Sequence, residues 1–174
     1  FGDSARPAWP GSIERWAAVA VELLDALRVA RAHVGGHHTG GVIAIELAAA
    51  HPQRVGRLVL SSTPFTDAAF LRARAQRPPI DEVARSADGA HLAALWRNRQ
   101  PFYPADRPDL LEALVIDALK VVDRVEDGHR AVANYHMETR IARVAQPALV
   151  IRATADPFAS PHAAELCARL PDAR

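Results

Sequence analysis

Apolar residues recur at helical spacing from residue 12 to residue 28 of the chain. Their spacing leaves charged side chains on the remaining faces. Ser12 can cap the helix start with its side-chain oxygen, and the carboxylate of Glu14 suits the positive end of the helix dipole. The pattern predicts an amphipathic helix whose buried face consists of Trp16, Ala20, Leu23, Leu24 and Leu27.

Three short apolar runs have the composition of buried parallel strands. They cover residues 32–35, 57–62 and 148–152. Helical patterns follow at residues 40–50 and again after the third run, where Ser160 is the predicted N-cap and Pro161 the first helical residue. Strands that alternate with helices predict a parallel sheet joined by crossover helices.

No strand pattern occurs between residues 65 and 142. Instead, helical periodicity occurs in four segments, at residues 70–74, 91–97, 110–122 and 129–137. Prolines separate several of these segments. We therefore predict an all-helical cap over residues 65–142, inserted between core segments at residues 1–64 and 143–174.

Closely spaced glycines follow the first predicted strand, in the sequence Gly36-His37-His38-Thr39-Gly40-Gly41. Glycines permit a strained turn between a strand and a helix, and the helix start directs its unpaired amides toward the residue at the tip. His38 occupies that tip, and an imidazole can act there as a nucleophile or as a proton carrier. A second interpretation is an anion site formed by His38 and the amides at the Gly40-Gly41 helix start.

This turn resembles the nucleophile elbow of the capped α/β hydrolases, a superfamily of esterases, lactonases, epoxide hydrolases, dehalogenases and related enzymes. The similarity continues along the chain, from a loop at residues 1–4 through the fifth, sixth and seventh strands of the family at residues 32–41, 55–64 and 147–161. It implies an α/β-hydrolase fold with a partial parallel sheet, whose three strands are neighbours in chain order, and a helical cap between strands six and seven. The loop after strand seven carries the catalytic acid of the family, which here is Asp156.

The sequence departs from this family in three respects. His38 stands where the family has serine, aspartate or cysteine, and Gly35 stands where a β-branched residue is usual. The chain ends before the eighth strand and the loop with the catalytic histidine, and it lacks the N-terminal strands and their oxyanion loop. The resemblance therefore implies a fragment whose uncovered sheet edges favour self-association. It also implies that His38 and Asp156 lie at one end of the sheet without touching, because the missing histidine would bridge them.

The function implied by the resemblance is hydrolysis of an ester, a lactone or a similar small substrate. His38 and Asp156 are then the catalytic residues, and the Thr39 amide contributes to the oxyanion hole. No cofactor is expected. A metal site from His33, His37 and His38 is disfavoured, because adjacent histidines on a turn diverge and no carboxylate or cysteine accompanies them. The alternative function is that of a catalytically degenerate protein of this fold, which binds a small ligand.

Composition narrows the expected partners to small molecules. The 174 residues include 21 basic and 20 acidic side chains, and the net charge of +1 provides no electrostatic attraction for nucleic acid or a membrane surface. The longest apolar run, at residues 42–50, contains Glu46 and is too short to cross a bilayer. A single cysteine, Cys167, allows no internal disulfide and is typical of a reducing compartment. With no signal sequence visible, the predicted location is the cytoplasm.

Overall fold

Helices alternate with three strands along the part of the chain that the structure describes. The structure is a computed structural model and describes residues 4–5 and 11–174. The elements are α1 (Ile13–Ala26), β1 (Ala32–His37), α2 (Thr39–Ala50), β2 (Val55–Ser61), α3 (Ala68–Ala75), α4 (Ala90–Arg99), α5 (Pro108–Lys120), α6 (Asp127–Val132), β3 (Ala148–Ile151) and α7 (Ala163–Arg169). The loop predicted at residues 1–4 lies outside the described residues, apart from Ser4. None of the described helices is long and apolar enough to cross a membrane.

The three strands form one parallel sheet in the order β1-β2-β3. Val34 of β1 pairs with Leu58 of β2, and Leu60 of β2 pairs with Val150 of β3. The predicted strands, their direction and their order are therefore confirmed. This register brings the carboxyl ends of the strands together, and ligand sites of open α/β sheets lie at that edge.

Helix α2 is the centre of the main core, because it is apolar on nearly every side. It packs against the sheet and against α1, and its small residues allow this close approach. Its buried apolar residues are Val42, Ala44, Ile45, Leu47, Ala48 and Ala49. On the opposite face of the sheet, Val59, Leu149 and Ile151 are about two-fifths exposed, at 38%, 41% and 44%. Self-association of the chain through uncovered parts of the sheet stays a prediction.

Helix α1 confirms the predicted cap but buries a different face. The Ser12 hydroxyl accepts a hydrogen bond from the Arg15 amide at 3.2 Å, as an N-cap does. The buried residues are Ile13 and Ala17, whereas Leu23 and Leu27 are exposed. The predicted apolar face was therefore wrong in its second half. Only the first half of α1 contributes buried residues to the core, so that helical spacing by itself could not identify the packed side.

The start of the last helix also differs from the prediction. Ser160 begins a short 3₁₀ turn, Ser160–His162, and α7 starts only at Ala163. The Ser160 hydroxyl is hydrogen-bonded to the guanidinium of Arg152 at 2.9 Å instead of capping the helix. Two amides just before this turn are satisfied by the Asp156 carboxylate. Among the described residues, neither the 3₁₀ turn nor α7 has a side chain that caps it, so the predicted cap at Ser160 was wrong.

Residues between β2 and β3 lie in helices, 3₁₀ turns and loops, all of them within the described range and none in a strand. The chain groups into two compact units, one containing Pro78–Gly128 and the other containing Gly11–Arg77 and His129–Arg174. The first unit has its own small core of Leu95, Ala118 and Val125. The three-segment division at residues 65 and 142 stays a prediction.

Candidate active site

The turn from β1 into α2 holds His38 in a strained backbone conformation. Its φ of 48° and ψ of −118° lie outside the regions that non-glycine residues normally adopt. Two neighbouring glycines make the turn possible. A Cβ on Gly36 would lie 2.2 Å from the carbonyl oxygen of Gly40, and one on Gly41 would lie 1.9 Å from Oγ1 of Thr63. The glycine spacing therefore corresponds to a steric requirement of this turn.

Gly36 and Gly40 provide a matched pair of substitutions that tests this requirement. We expect Gly36→Ala to lower the free energy of unfolding by about 1–3 kcal/mol or more, because the added carbon meets backbone atoms that cannot move aside. Gly40→Ala should be close to neutral, since nothing lies within 4 Å of its added Cβ among the described residues. Urea denaturation of both variants measures the difference. Equal destabilisation by the two would show that the turn does not need Gly36.

The side chain of His38 reaches directly to Asp156. Nε2 of His38 lies 2.8 Å from Oδ2 of Asp156, across 118 residues of sequence. Both residues lie at the carboxyl edge of the sheet, as predicted. The prediction that they would not touch was wrong. An imidazole is longer than a serine side chain by a ring, so it spans the gap that a separate histidine would otherwise fill.

Asp156 is held as a carboxylate by the loop around it. Its Oδ1 accepts hydrogen bonds from the amides of Phe158 at 2.8 Å and Ala159 at 3.1 Å. Burial by itself raises the pKa of Asp156, but these amides, and after them His38, lower it by more. The pKa of Asp156 consequently lies below its ordinary value of 3.8, and the group is an anion at neutral pH.

The surroundings of His38 favour the neutral form of its imidazole. Burial lowers its pKa below the ordinary value of 6.5, the carboxylate of Asp156 opposes that shift, and His37 adds to it. Because an ionised carboxylate can only accept a hydrogen bond, the proton of the neutral ring lies on Nε2. Nδ1 then carries a lone pair, and this nitrogen has no hydrogen-bond partner within the described part of the chain. The side chain is 42% exposed, so this nitrogen can meet a reactant.

The start of α2 supplies unpaired amides beside His38. The carbonyl of His38 accepts from the amides of Gly41 and Val42, which are the first of the helix to be paired. The amides of Thr39 and Gly40 have no hydrogen-bond acceptor among residues 4–5 and 11–174. Such amides at a helix start favour negative charge and can stabilise an oxyanion. The role of the Thr39 amide in an oxyanion hole stays a prediction.

The two other histidines near the turn, His33 and His37, have different surroundings. Nδ1 of His37 lies 3.2 Å from the Ser61 hydroxyl at the end of β2. His33 lies beside Gly56, where an added Cβ would approach its Nδ1 to 2.7 Å. The rings of His37 and His38 are tilted to each other, with centroids 4.6 Å apart. The prediction of a site without metal or cofactor stays a prediction.

Comparison with known proteins identifies the family of this chain. The sequence profile described as the alpha/beta hydrolase fold matches residues 1–174. The chain belongs to the α/β hydrolase fold family. A 2-hydroxy-6-oxononadienedioate/2-hydroxy-6-oxononatrienedioate hydrolase from Paraburkholderia xenovorans is 29% identical over 152 residues, which are 78% of this chain and 50% of that protein. A 2-hydroxymuconate semialdehyde hydrolase from Pseudomonas putida is 46% identical over 61 residues, or 34% of this chain and 22% of that protein.

A solved structure extends the comparison to three dimensions. The crystal structure of the enol-lactonase from Burkholderia xenovorans LB400 matches with a TM-score of 0.74 and 27% sequence identity. The match covers 99% of this chain and 66% of that protein. This α/β hydrolase chain thus spans about two-thirds of the solved structure, and the matched segments span half or less of the two curated relatives.

A buried ionic cluster in this α/β hydrolase chain was not predicted from the sequence. The carboxylate of Glu46, on α2, accepts hydrogen bonds from the Tyr135 hydroxyl at 2.7 Å and from two guanidinium nitrogens of Arg140 at 2.9 and 2.7 Å. Thr66 holds the same segment, because its hydroxyl donates to the Tyr135 carbonyl at 2.6 Å. The cluster therefore fastens residues 135–140 to α2, the helix that directly follows His38. Glu46 stood out in the sequence only as a charge within an apolar run.

A second feature without a sequence signal is Ser62, directly after β2. Its φ of 45° is in the left-handed region, although serine has no special preference for that conformation. Its amide donates to the carbonyl of Ile151 at 3.1 Å, which places it beside the end of β3. The side chain is buried, and its hydroxyl has no hydrogen-bond partner within the described residues.

Proposed function

We propose that this α/β hydrolase hydrolyses a small ester or lactone and uses His38, held by Asp156, as its catalytic base. The observation that carries the proposal is the 2.8 Å hydrogen bond from His38 to Asp156 at the tip of the elbow. It fixes the ring and leaves Nδ1 as the basic atom. The unpaired amide of Thr39 lies at the same turn, where a carbonyl oxygen would acquire negative charge.

The chemistry needs only a water molecule besides the substrate. Nδ1 of His38 removes a proton as the water oxygen attacks the carbonyl carbon, and the amide of Thr39 stabilises the oxyanion. The carboxylate of Asp156 stabilises the imidazolium that forms. When the tetrahedral intermediate collapses, the C–O bond to the leaving group breaks, and the alcohol oxygen takes the proton back from Nδ1. The products are an acid and an alcohol, and the enzyme returns to its starting state.

The named relatives support a small carbonyl substrate. One is a lactonase, and the two curated ones are hydrolases of oxo-acid and semialdehyde compounds according to their names. Since this chain covers only part of each, the substrate class proposed here rests on the similarity together with the geometry of His38. A ligand-binding protein without catalysis is the second candidate, because the elbow lacks the serine, aspartate or cysteine of the family.

Turnover measurements on the complete protein separate these two candidates. Short-chain p-nitrophenyl esters and small lactones are the probes, with free imidazole at the same concentration as the background reaction. Turnover well above that background, and proportional to enzyme concentration, is expected. Hydroxylamine should not trap an acyl-enzyme, since the proposed route forms none. Rates no higher than those of free imidazole would favour the binding protein, and a trapped acyl-imidazole would favour direct attack by His38.

The pH dependence of hydrolysis follows from the electrostatics of His38. The ring must be neutral to act as a base, so activity falls when Nδ1 becomes protonated. Burial lowers the pKa of His38 below 6.5, with Asp156 opposing the shift and His37 and His129 adding to it. We therefore expect kcat/KM to be level near neutral pH and to decline only as the pH falls through a value below 6.5.

A variant at Asp156 tests the same electrostatics. Asp156→Asn removes the anion that favours the charged imidazole. The decline of kcat/KM at acidic pH, here called the acid limb, should therefore move to still lower pH, while kcat falls. Initial rates between about pH 4.5 and 8.5 measure both effects. A limb centred above pH 7 in the native protein would contradict the neutral-base assignment. An unmoved limb in Asp156→Asn would show that Asp156 does not act on the titrating group.

A further inference from the structure

The Ser62 hydroxyl is a buried donor without an acceptor, close to the candidate active site. Ser62 is 3% exposed, and its Oγ has no hydrogen-bond partner among the described residues. Its backbone is in the left-handed region at φ 45°, which is unfavourable for a residue with a side chain. Both features cost folding free energy, and such costs concentrate at functional sites.

The backbone of Ser62 lies beside the end of β3, where the loop that carries Asp156 begins. Ser62 follows β2 and donates its amide to the carbonyl of Ile151, the last residue of β3, whose loop continues to Asp156. The Ser62 hydroxyl is among the groups that lower the pKa of Asp156, after the loop amides and His38.

The carboxylate of Asp156 has room for this donor. Oδ1 already accepts two amides, whereas Oδ2 accepts only Nε2 of His38. A carboxylate oxygen can accept about two hydrogen bonds, so Oδ2 keeps one lone pair unused. A buried donor without an acceptor and a carboxylate oxygen with a free lone pair thus occur at the same edge of the sheet, where β2 and β3 end.

We infer that Ser62 is a positioning residue, whose hydroxyl donates to Oδ2 of Asp156 in the working enzyme and fixes this oxygen against His38. The left-handed backbone at Ser62 aims the hydroxyl at the acid, which explains why the strained conformation is retained. Ser62 touches no reacting atom and acts through Asp156. The catalytic consequence rests on the proposed function of the His38–Asp156 pair, but the contact itself does not.

Two substitutions separate the hydroxyl from the backbone strain. Ser62→Ala removes the hydroxyl and keeps the unfavourable φ, whereas Ser62→Gly removes the hydroxyl and relieves the strain. In the complete protein, carbon-detected NMR titration of the Asp156 carboxyl should give a higher pKa in both variants than in the native protein, and by equal amounts. The melting temperature should be higher for Ser62→Gly than for Ser62→Ala. The kcat for ester hydrolysis should fall about tenfold in both, with KM unchanged.

The titration and the kinetics can fail independently. An Asp156 pKa that is unchanged in both variants overturns the inference. A pKa change in Ser62→Ala alone also overturns it, because both variants lack the hydroxyl and they differ only in backbone strain. If the native protein shows no hydrolysis, the proposed function fails, while a raised pKa in both variants still establishes the contact. If only Ser62→Gly folds, its titration alone decides, since it lacks the hydroxyl and carries no added strain.

Discussion

Replacing His38 with alanine in the complete protein is expected to lower kcat/KM for the proposed ester or lactone substrate by about 10²–10⁴-fold. A positioned general base contributes a factor of this size, and alanine removes both Nδ1 and the hydrogen bond to Asp156. Substrate binding should change less, because the imidazole acts on the water and not on the bulk of the substrate. Steady-state kinetics with the best ester found by screening measure the change.

The control for this experiment is a histidine outside the site. The side chain of His136 is exposed. Within the described residues, its ring is hydrogen-bonded only to Glu138, with Nδ1 of His136 3.0 Å from Oε1 of Glu138. His136→Ala should therefore retain nearly all activity. Full activity in His38→Ala as well would mean that His38 is not catalytic, and the ligand-binding candidate would then be preferred. His38→Ser adds a constructive test, since it should gain serine-dependent esterase activity if the complete protein supplies a separate histidine.

The second large effect is expected on stability, at the buried Glu46 cluster. Arg140→Met should lower the free energy of unfolding by about 3–5 kcal/mol, because removal of one partner leaves a buried charge uncompensated. The loss should be larger for Arg140 than for Glu46, since the Glu46 side chain is 3% exposed and the Arg140 side chain 28%. A lone Arg140 can recover hydration, whereas a lone Glu46 cannot. Chemical denaturation at neutral pH measures the difference.

An apolar replacement of the whole cluster provides the matched comparison. The triple variant Glu46→Met, Tyr135→Phe, Arg140→Met leaves no unpaired polar group, so it should recover most of the stability that Arg140→Met loses. Arg143, exposed and three residues further on, gives a control: Arg143→Met should change stability by less than about 0.5 kcal/mol. If Arg140→Met were as mild as Arg143→Met, the cluster would not fasten residues 135–140 to α2.

The local architecture of this chain could be predicted from the sequence. The composition of the strands, the spacing of the helices and the placement of the glycines predicted the three parallel strands, helix α2 and the turn between β1 and α2. Each of these patterns reflects the sterics of neighbouring residues. The cap at Ser12 is likewise a contact over three residues. The position of His38 at the tip follows from the same local rules, since Gly36 and Gly41 are the residues whose side chains would collide there.

The long-range contacts at and around the candidate site were decided only by the tertiary structure. The hydrogen bond from His38 to Asp156 spans 118 residues, and that from Arg140 to Glu46 spans 94, so neither leaves a periodic trace. The left-handed backbone of Ser62 is fixed by its place beside β3 and not by its own preference. Helix α1 shows the same limit, because its spacing marks several apolar positions while its neighbours determine which are buried. Long-range packing determines which of several locally equivalent conformations and buried faces the chain adopts. In this protein it brings His38, which departs from the family pattern, within hydrogen-bond distance of Asp156.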